Sequence, residues 1–232
     1  MRRDANALMV ERVAEALGPL RQQVVFLGGC ATGFLLTDEA AAAVRTTMDV
    51  DLIVEAASRT AYQRLEGQLS RLGFRHDVTE GAPLCRWTLD ELIVDFMPTD
   101  PSLLGFSNRW YPEAIRSSFR HMLENGLEIA LVAAPCFLAT KLEAFRGRGQ
   151  SDYAASHDME DLVCVVDGRA EIVEEVRASG EALQAYLRGE FGRLLGDDRF
   201  LSALPGHLPS DSASQARLPL LRRRLASIAE TR

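Results

Sequence analysis

Apolar residues recur at helical spacing between Ala5 and Leu17, with Leu8, Val13 and Leu17 in the pattern, until Gly18-Pro19 ends it. Val24-Val25-Phe26-Leu27 is a short continuous apolar run that stops at Gly28-Gly29, which reads as a buried strand running into a turn. A short helix through Ala31 and Leu36 is expected next, then an Ala-rich connection from Thr37 to Thr47. Met48 to Val54 forms a second strand. Ser58 to Leu72 is a helix with Ser58 as N-cap and Gly73 just past its end. Phe74 to Val78, Leu84 to Leu89 and Glu91 to Met97 read as three strands, the last two turning at Asp90. Pro98 to Pro112 is expected to be a loop carrying Trp110 and Tyr111. Phe119 to Leu123 and Leu127 to Val132 form a hairpin around Asn125-Gly126.

The pattern changes after Pro135, which suits the first position of a helix. That helix is expected to reach Phe145 and to be broken by Gly147 and Gly149. Further helices are expected over Ser156 to Val166, Ala170 to Ala178, Glu181 to Phe191 and Leu218 to Ala229, with Ser210 to Ser214 as a flexible linker. The chain therefore reads as an α/β (α+β) lobe over residues 1–133 followed by a helical lobe over 134–232.

Composition keeps this picture and removes some functions. The 232 residues are 47% hydrophobic and 25% charged, ordinary for a globular protein. A net charge of −7 disfavours a broad nucleic-acid footprint. Arg146, Arg148, Arg109, Arg116 and Arg120 could still make a local basic surface, and Arg222 to Arg224 read as a solvated helix face. No apolar stretch approaches a membrane span, the N-terminus lacks a signal-peptide core, and the four cysteines have no CxxC spacing. A cytoplasmic location without a membrane partner is the expectation.

The candidate chemistry lies in the strands. In Met48-Asp49-Val50-Asp51-Leu52-Ile53-Val54 alternate residues share a face, so Asp49 and Asp51 point the same way, side by side. Two neighbouring carboxylates repel unless compensated, and a divalent cation compensates them; magnesium favours one or two carboxylates plus substrate phosphate oxygens. Leu92-Ile93-Val94-Asp95-Phe96-Met97 places one acid inside an apolar run, where it needs a metal or a salt bridge, Arg86 being a conceivable partner. If the two strands lie side by side, three carboxylates converge in a manner suited to two metals. Gly28-Gly29 between strand and helix would let a backbone approach phosphate closely, and Thr32 could add a hydroxyl contact. Lys141 lies on the stripe of Phe137 and Phe145, so it emerges from an apolar face; snorkelling and a phosphate role fit equally. Asp158 and Asp161 could pair with Lys141 or Arg146.

Strand, Gly-Gly, helix, DxD on the next strand and an Asp on a later strand resemble the DNA polymerase β-type nucleotidyltransferase superfamily. Within it, the chain looks like the AbiEii/AbiGii-type toxin family. Phe26-Leu27-Gly28-Gly29-Cys30-Ala31, Arg45-Thr46-Thr47-Met48-Asp49-Val50-Asp51, Lys141 to Gly149 and His157-Asp158-Met159-Glu160-Asp161-Leu162 carry the likeness, over about residues 22 to 167. Two features depart from it: Gly-Gly stands where many relatives have Gly-Ser, and Thr37 to Val44 reads as an insertion.

The resemblance implies a polymerase β-like lobe with a mixed sheet, and roles for its residues. Asp49, Asp51 and Asp95 would bind magnesium or manganese, Gly28 and Gly29 would contact the triphosphate, Lys141 would reach a phosphate, and Asp158 would be the polar residue of the last motif. The implied activity moves a nucleoside monophosphate from an NTP to a hydroxyl of tRNA or protein, with a separately encoded antitoxin as partner. A small-molecule nucleotidyltransferase and a non-catalytic nucleotide-binding module are the alternatives.

Overall fold

The computed structural model describes residues 4–56, 58–148 and 152–231. The chain divides into two compact units, residues 1–31 with 45–133, and residues 32–44 with 134–232.

The first unit is built on a mixed sheet of seven strands: β1 (Val24–Leu27), β2 (Asp49–Val54), β3 (Arg75–His76), β4 (Arg86–Leu89), β5 (Leu92–Pro98), β6 (Phe119–Met122) and β7 (Glu128–Leu131). Their order across the sheet is β3-β4-β5-β2-β1-β7-β6. β1 runs antiparallel to β2 and parallel to β7, whereas β2 and β5 are parallel neighbours. All four residues of β1 are buried, as expected of a central strand covered on both faces.

Strand register sorts the side chains. Val50, Leu52, Trp87, Val94 and Phe96 are buried, and alternation places them on one face of the sheet. Phe96 meets Phe74 edge to face at 5.6 Å, and the Tyr62 hydroxyl donates to the Phe96 carbonyl at 3.2 Å. Tyr62 and Leu69 come from α2 (Arg59–Arg71), whose N-terminus is capped by the Ser58 hydroxyl accepting from the Ala61 N–H. The same alternation turns Asp49 and Asp51 to the other face. The β4–β5 turn holds Asp90 at φ +53°, a left-handed conformation that Asp tolerates better than most residues. Gly126 at φ +82° lies between β6 and β7.

The unit also contains α1 (Ala5–Leu17), α3 (Pro101–Leu104) and α4 (Tyr111–Arg116). The last two correct the expectation of a plain loop over Pro98 to Pro112. Asp100 caps α3 by accepting from the Ser102 N–H, Pro101 takes the first helical position, and Gly105 ends it at φ +78°.

The second unit is helical: α5 (Ala134–Arg148), α6 (His157–Gly168), α7 (Ile172–Ala178), α8 (Glu181–Leu195), α9 (Asp198–Ala203), α10 (Ser212–Gln215) and α11 (Leu218–Ala229). α5 packs on α6, α7 and α8, and α11 on α6, α7 and α8. Gly147 does not break α5, which passes through it; Gly149 and the side chain of Arg148 lie outside the described residues. The expected linker at Ser210 to Ser214 is also corrected: Asp211 accepts from the N–H groups of Ala213 and Ser214 and starts α10.

Residues 32–44 join this helical unit. The N–H groups of Thr37 and Asp38 both donate to the Gly168 carbonyl, at 3.0 and 2.9 Å, and Arg169 Nη1 donates to the Leu35 carbonyl at 2.7 Å. Gly168 packs closely here: a Cβ on it would lie 2.8 Å from Leu36 Cδ2 and 3.0 Å from the Ala41 Cβ. Arg217 bridges Asp167 and Asp38, each at 2.7 Å. Arg224 turns inward to the carbonyls of Val166 and Asp167, so only Arg222 and Arg223 of that trio are exposed as expected.

Candidate active site

The register of β2 with its neighbours brings the acids together. Leu27 pairs with Asp51, Asp51 with Asp95, and Asp95 with Arg86, forming one row across β1, β2, β5 and β4. Asp49, Asp51 and Asp95 each offer a carboxylate oxygen within 4.8 Å of the others. Asp95 is 7% exposed and the other two are half-buried.

Each acid is fixed differently. Both oxygens of Asp95 accept from Arg86, from Nε and Nη2 at 2.9 Å each, a two-pronged pair between adjacent strands. These hydrogen bonds hold the guanidinium above its usual pKa. Asp51 packs against Gly28. A Cβ there would fall 2.6 Å from Asp51 Cγ and 2.7 Å from its Cβ, and the φ of +75° is one that only glycine adopts freely. Gly28 thus leaves room for a carboxylate directly beside the turn after β1.

Asp49 is placed by residues that the sequence reading missed. The Thr47 hydroxyl donates to the Asp49 carbonyl at 2.8 Å, lies 3.2 Å from Asp49 Oδ1 and accepts from the Asp49 N–H at 3.2 Å. Thr47 is held in turn by Asn6 of α1: its N–H donates to Asn6 Oδ1 at 3.0 Å, while Asn6 Nδ2 donates to the Arg45 carbonyl at 2.8 Å. Asn6 is completely buried. The available signal was a lone amide on the apolar stripe of Val10, Val13 and Leu17.

The negative field reaches Cys85. Burial first, then the charges of Asp95 and Asp51, push its thiol up to about 12, so it stays protonated. The three acids offer only hard oxygen donors. Magnesium takes oxygen ligands at about 2.1 Å, the donor type that this cluster supplies, but both Asp95 oxygens already accept from Arg86, so Asp95 would have to share its carboxylate with the guanidinium to hold an ion. The set contains no Cys or His, so it does not resemble a structural zinc site.

Thr32 is fully buried, with no hydrogen-bond partner for its hydroxyl among the described residues, so this conformation does not present it to solvent. Lys141 and Asp158 come together in the second unit. The Lys141 ammonium lies 2.6 Å from Asp161 Oδ2, 3.4 Å from Asp158 Oδ1 and 5.7 Å from the Phe137 ring centroid. At 7% exposure it does not snorkel into water. Ser156 caps α6 by accepting from the Met159 N–H, which sets Asp158 in the first turn and Asp161 on the same side one turn later.

No family model and no curated protein matches the chain. Among solved structures, a crystal structure of an antigenic nucleotidyltransferase-like protein from Paracoccidioides brasiliensis is similar, with a TM-score of 0.51 and 20% identity over 87% of this chain and 92% of that one. The fold is nucleotidyltransferase-like. The solution structure of the antibiotic-resistance factor ANT(2'')-Ia aligns with a TM-score of 0.48 and 14% identity over 82% of this chain and 95% of that one. Among the described residues no helix is long and apolar enough to cross a membrane.

Proposed function

We propose that this chain is a metal-dependent nucleotidyltransferase of the AbiEii/AbiGii type, moving a nucleoside monophosphate from an NTP to a hydroxyl of RNA or protein. The observation that carries the reading is the convergence of Asp49, Asp51 and Asp95 beside a turn that must be glycine.

Asp49, Asp51 and Asp95 would hold magnesium or manganese, which when bound neutralises phosphate charge and favours ionisation of the acceptor hydroxyl. The protein's own part is positioning. Arg86 holds Asp95, Thr47 and Asn6 hold Asp49, and Gly28 clears the space next to Asp51. The backbone at Gly28-Gly29 is assigned to the triphosphate. In the reaction the acceptor oxygen bonds to the α-phosphorus, the bond to the bridging oxygen breaks, pyrophosphate takes the electron pair, and the hydroxyl proton leaves to water. Such transfer needs little covalent participation by the protein; fixed geometry and charge supply most of it. In the second unit, the reading assigns Lys141 to phosphate and Asp158 a polar role on the strength of the motif alone; the ammonium itself is held by Asp161 and Asp158. The family reading also brings a separately encoded antitoxin.

Binding of the four NTPs, measured with magnesium and after chelation, tests the metal assignment. Affinity that needs magnesium and falls at least tenfold in Asp51→Asn supports it; equal affinity in EDTA would leave a non-catalytic nucleotide-binding module.

A further inference from the structure

Arg64, Gly67 and Arg71 of α2 are three and four residues apart, so they form one stripe on the outside of that helix. Both arginines are exposed, and among the described residues neither has a carboxylate partner. Arg71 Nε donates to the Gly67 carbonyl at 3.0 Å, which lays the guanidinium along the stripe and leaves both Nη groups uncommitted. Glu66 is the one acid of α2. Two positions from Arg64, it lies on another side of the helix, where its charge acts on Tyr62. Seven residues of helix separate the two arginines by about 10 Å along the axis.

At the C-terminal end of the stripe an open groove of about 310 Å³ lies between α2, the end of α1 and the short 3-10 helix Gly18–Gln23. Leu17 and Leu20, both buried, and Pro19 and Leu72, both exposed, give it an apolar lining, with Gln68 and Arg71 beside them. A groove of this size, open to solvent, suits an apolar side chain projecting from a larger partner better than an enclosed small molecule. Gly67 adds a separate observation. A Cβ there would meet no atom within 4 Å, so internal packing does not require glycine, and glycine weakens a helix interior relative to Ala. What it leaves is a low spot between the two arginines, where another backbone can approach closely.

We infer that this face of α2 docks an acidic amphipathic helix of another protein. Two carboxylates seven residues apart on that helix face Arg64 and Arg71, its backbone crosses above Gly67, and an apolar residue beyond them enters the groove at Leu72. Helix laid against an apolar groove is a recurrent mode of recognition, and here the charges set the choice of partner. The stripe carries two cations and no acid, so it receives an acidic helix and opposes a basic one. Exposed ion pairs contribute little each, and the buried anchor supplies most of the affinity. Tyr62 and Leu69 turn the other side of α2 to the sheet face opposite Asp49 and Asp51, so the docked helix leaves the acid cluster uncovered. The inference therefore does not depend on the proposed nucleotidyl transfer.

The test is fluorescence anisotropy of a labelled helical peptide of about 15 residues, long enough to hold a helix. It carries glutamates at seven-residue spacing with leucines beside them, and is compared with versions in which glutamine or lysine replaces the glutamates. Wild type is expected to bind the glutamate peptide about tenfold more tightly than the glutamine one, the scale of two exposed ion pairs, and the difference should shrink with added salt. Arg64→Glu/Arg71→Glu should lose the glutamate peptide and prefer the lysine one, with an unchanged urea midpoint. Gly67→Gln places a better helix former in α2, so the urea midpoint should rise while glutamate-peptide binding weakens by a similar factor. No binding of the glutamate peptide by wild type, equal binding of the three peptides, or undiminished binding by Arg64→Glu/Arg71→Glu would overturn the docking face. Wild-type affinity in Gly67→Gln would overturn it too, because the helix would then lie elsewhere. Self-association of the wild type in sedimentation, lost in Arg64→Glu/Arg71→Glu, would give the face to a second copy of this chain and likewise contradict a separate acidic partner.

Discussion

A single missing carbon decides much at Gly28. Replacing it by Ala puts a methyl into the Asp51 side chain and forces a Cβ-bearing residue to φ +75°. The backbone conformation alone costs about 1–2 kcal/mol. Gly28→Ala is expected to lower the urea midpoint accordingly and to abolish magnesium-dependent NTP binding, because Asp51 must move. Thr47 offers a finer contrast. Thr47→Val keeps the shape and removes the hydroxyl that bridges to Asp49, while Thr47→Ser keeps the hydroxyl. Loss of a group that orients a metal ligand typically costs 10–100-fold in metal affinity. The magnesium midpoint for NTP binding should rise by about that factor in Thr47→Val and stay near wild type in Thr47→Ser. Equal midpoints in the two variants would remove Thr47 from the positioning of Asp49.

At the scale of elements, ion pairs join neighbouring strands and neighbouring helices. Lys141 of α5 meets Asp158 and Asp161 of α6, all three nearly buried. Removing one partner of such a group leaves uncompensated charge, at a cost of about 3–5 kcal/mol. Lys141→Met is expected to destabilise the protein by that amount in chemical denaturation, and adding Asp161→Asn should recover part of the loss. Additive effects of the two changes would argue against coupling. The sequence made most of these elements legible. Ala5–Leu17 and Leu218–Ala229 occur with the expected bounds, and β1, β2 and α2 lie within one or two residues of expectation. Where the reading failed, a local cap outweighed composition. Asp100 and Asp211 start helices in segments whose Pro and Ser content reads as loop. Gly147 weakens a helix without stopping it, since one glycine costs only about 1 kcal/mol relative to Ala.

At the scale of the whole molecule, the alternation within β2 revealed that Asp49 and Asp51 share a face, and an acid inside an apolar strand marked Asp95. Their convergence depends on the parallel pairing of β2 with β5, which is long-range and invisible in local pattern. The same holds for residues 32–44: nothing in an Ala-rich segment announces that Thr37 and Asp38 will share the Gly168 carbonyl. Binding to the folded state alone stabilises it by RT ln(1 + [L]/Kd), about 2.7 kcal/mol at a hundredfold excess over Kd. Magnesium with an NTP should therefore raise the Tm of the wild type and leave Asp49→Asn/Asp51→Asn unmoved; an equal rise in both would place nucleotide binding elsewhere.

The most direct test of the central claim is transfer itself. Purified protein is incubated with magnesium and each α-labelled NTP, offering total tRNA and a cell lysate as acceptors, beside the Asp49→Ala/Asp51→Ala variant. Label passed to an acceptor by the wild type, abolished by EDTA and absent in the variant, is the predicted result. Label transfer that persists in the variant or in EDTA would contradict a metal-dependent nucleotidyltransferase centred on Asp49, Asp51 and Asp95, and so would failure to transfer combined with NTP binding that ignores magnesium.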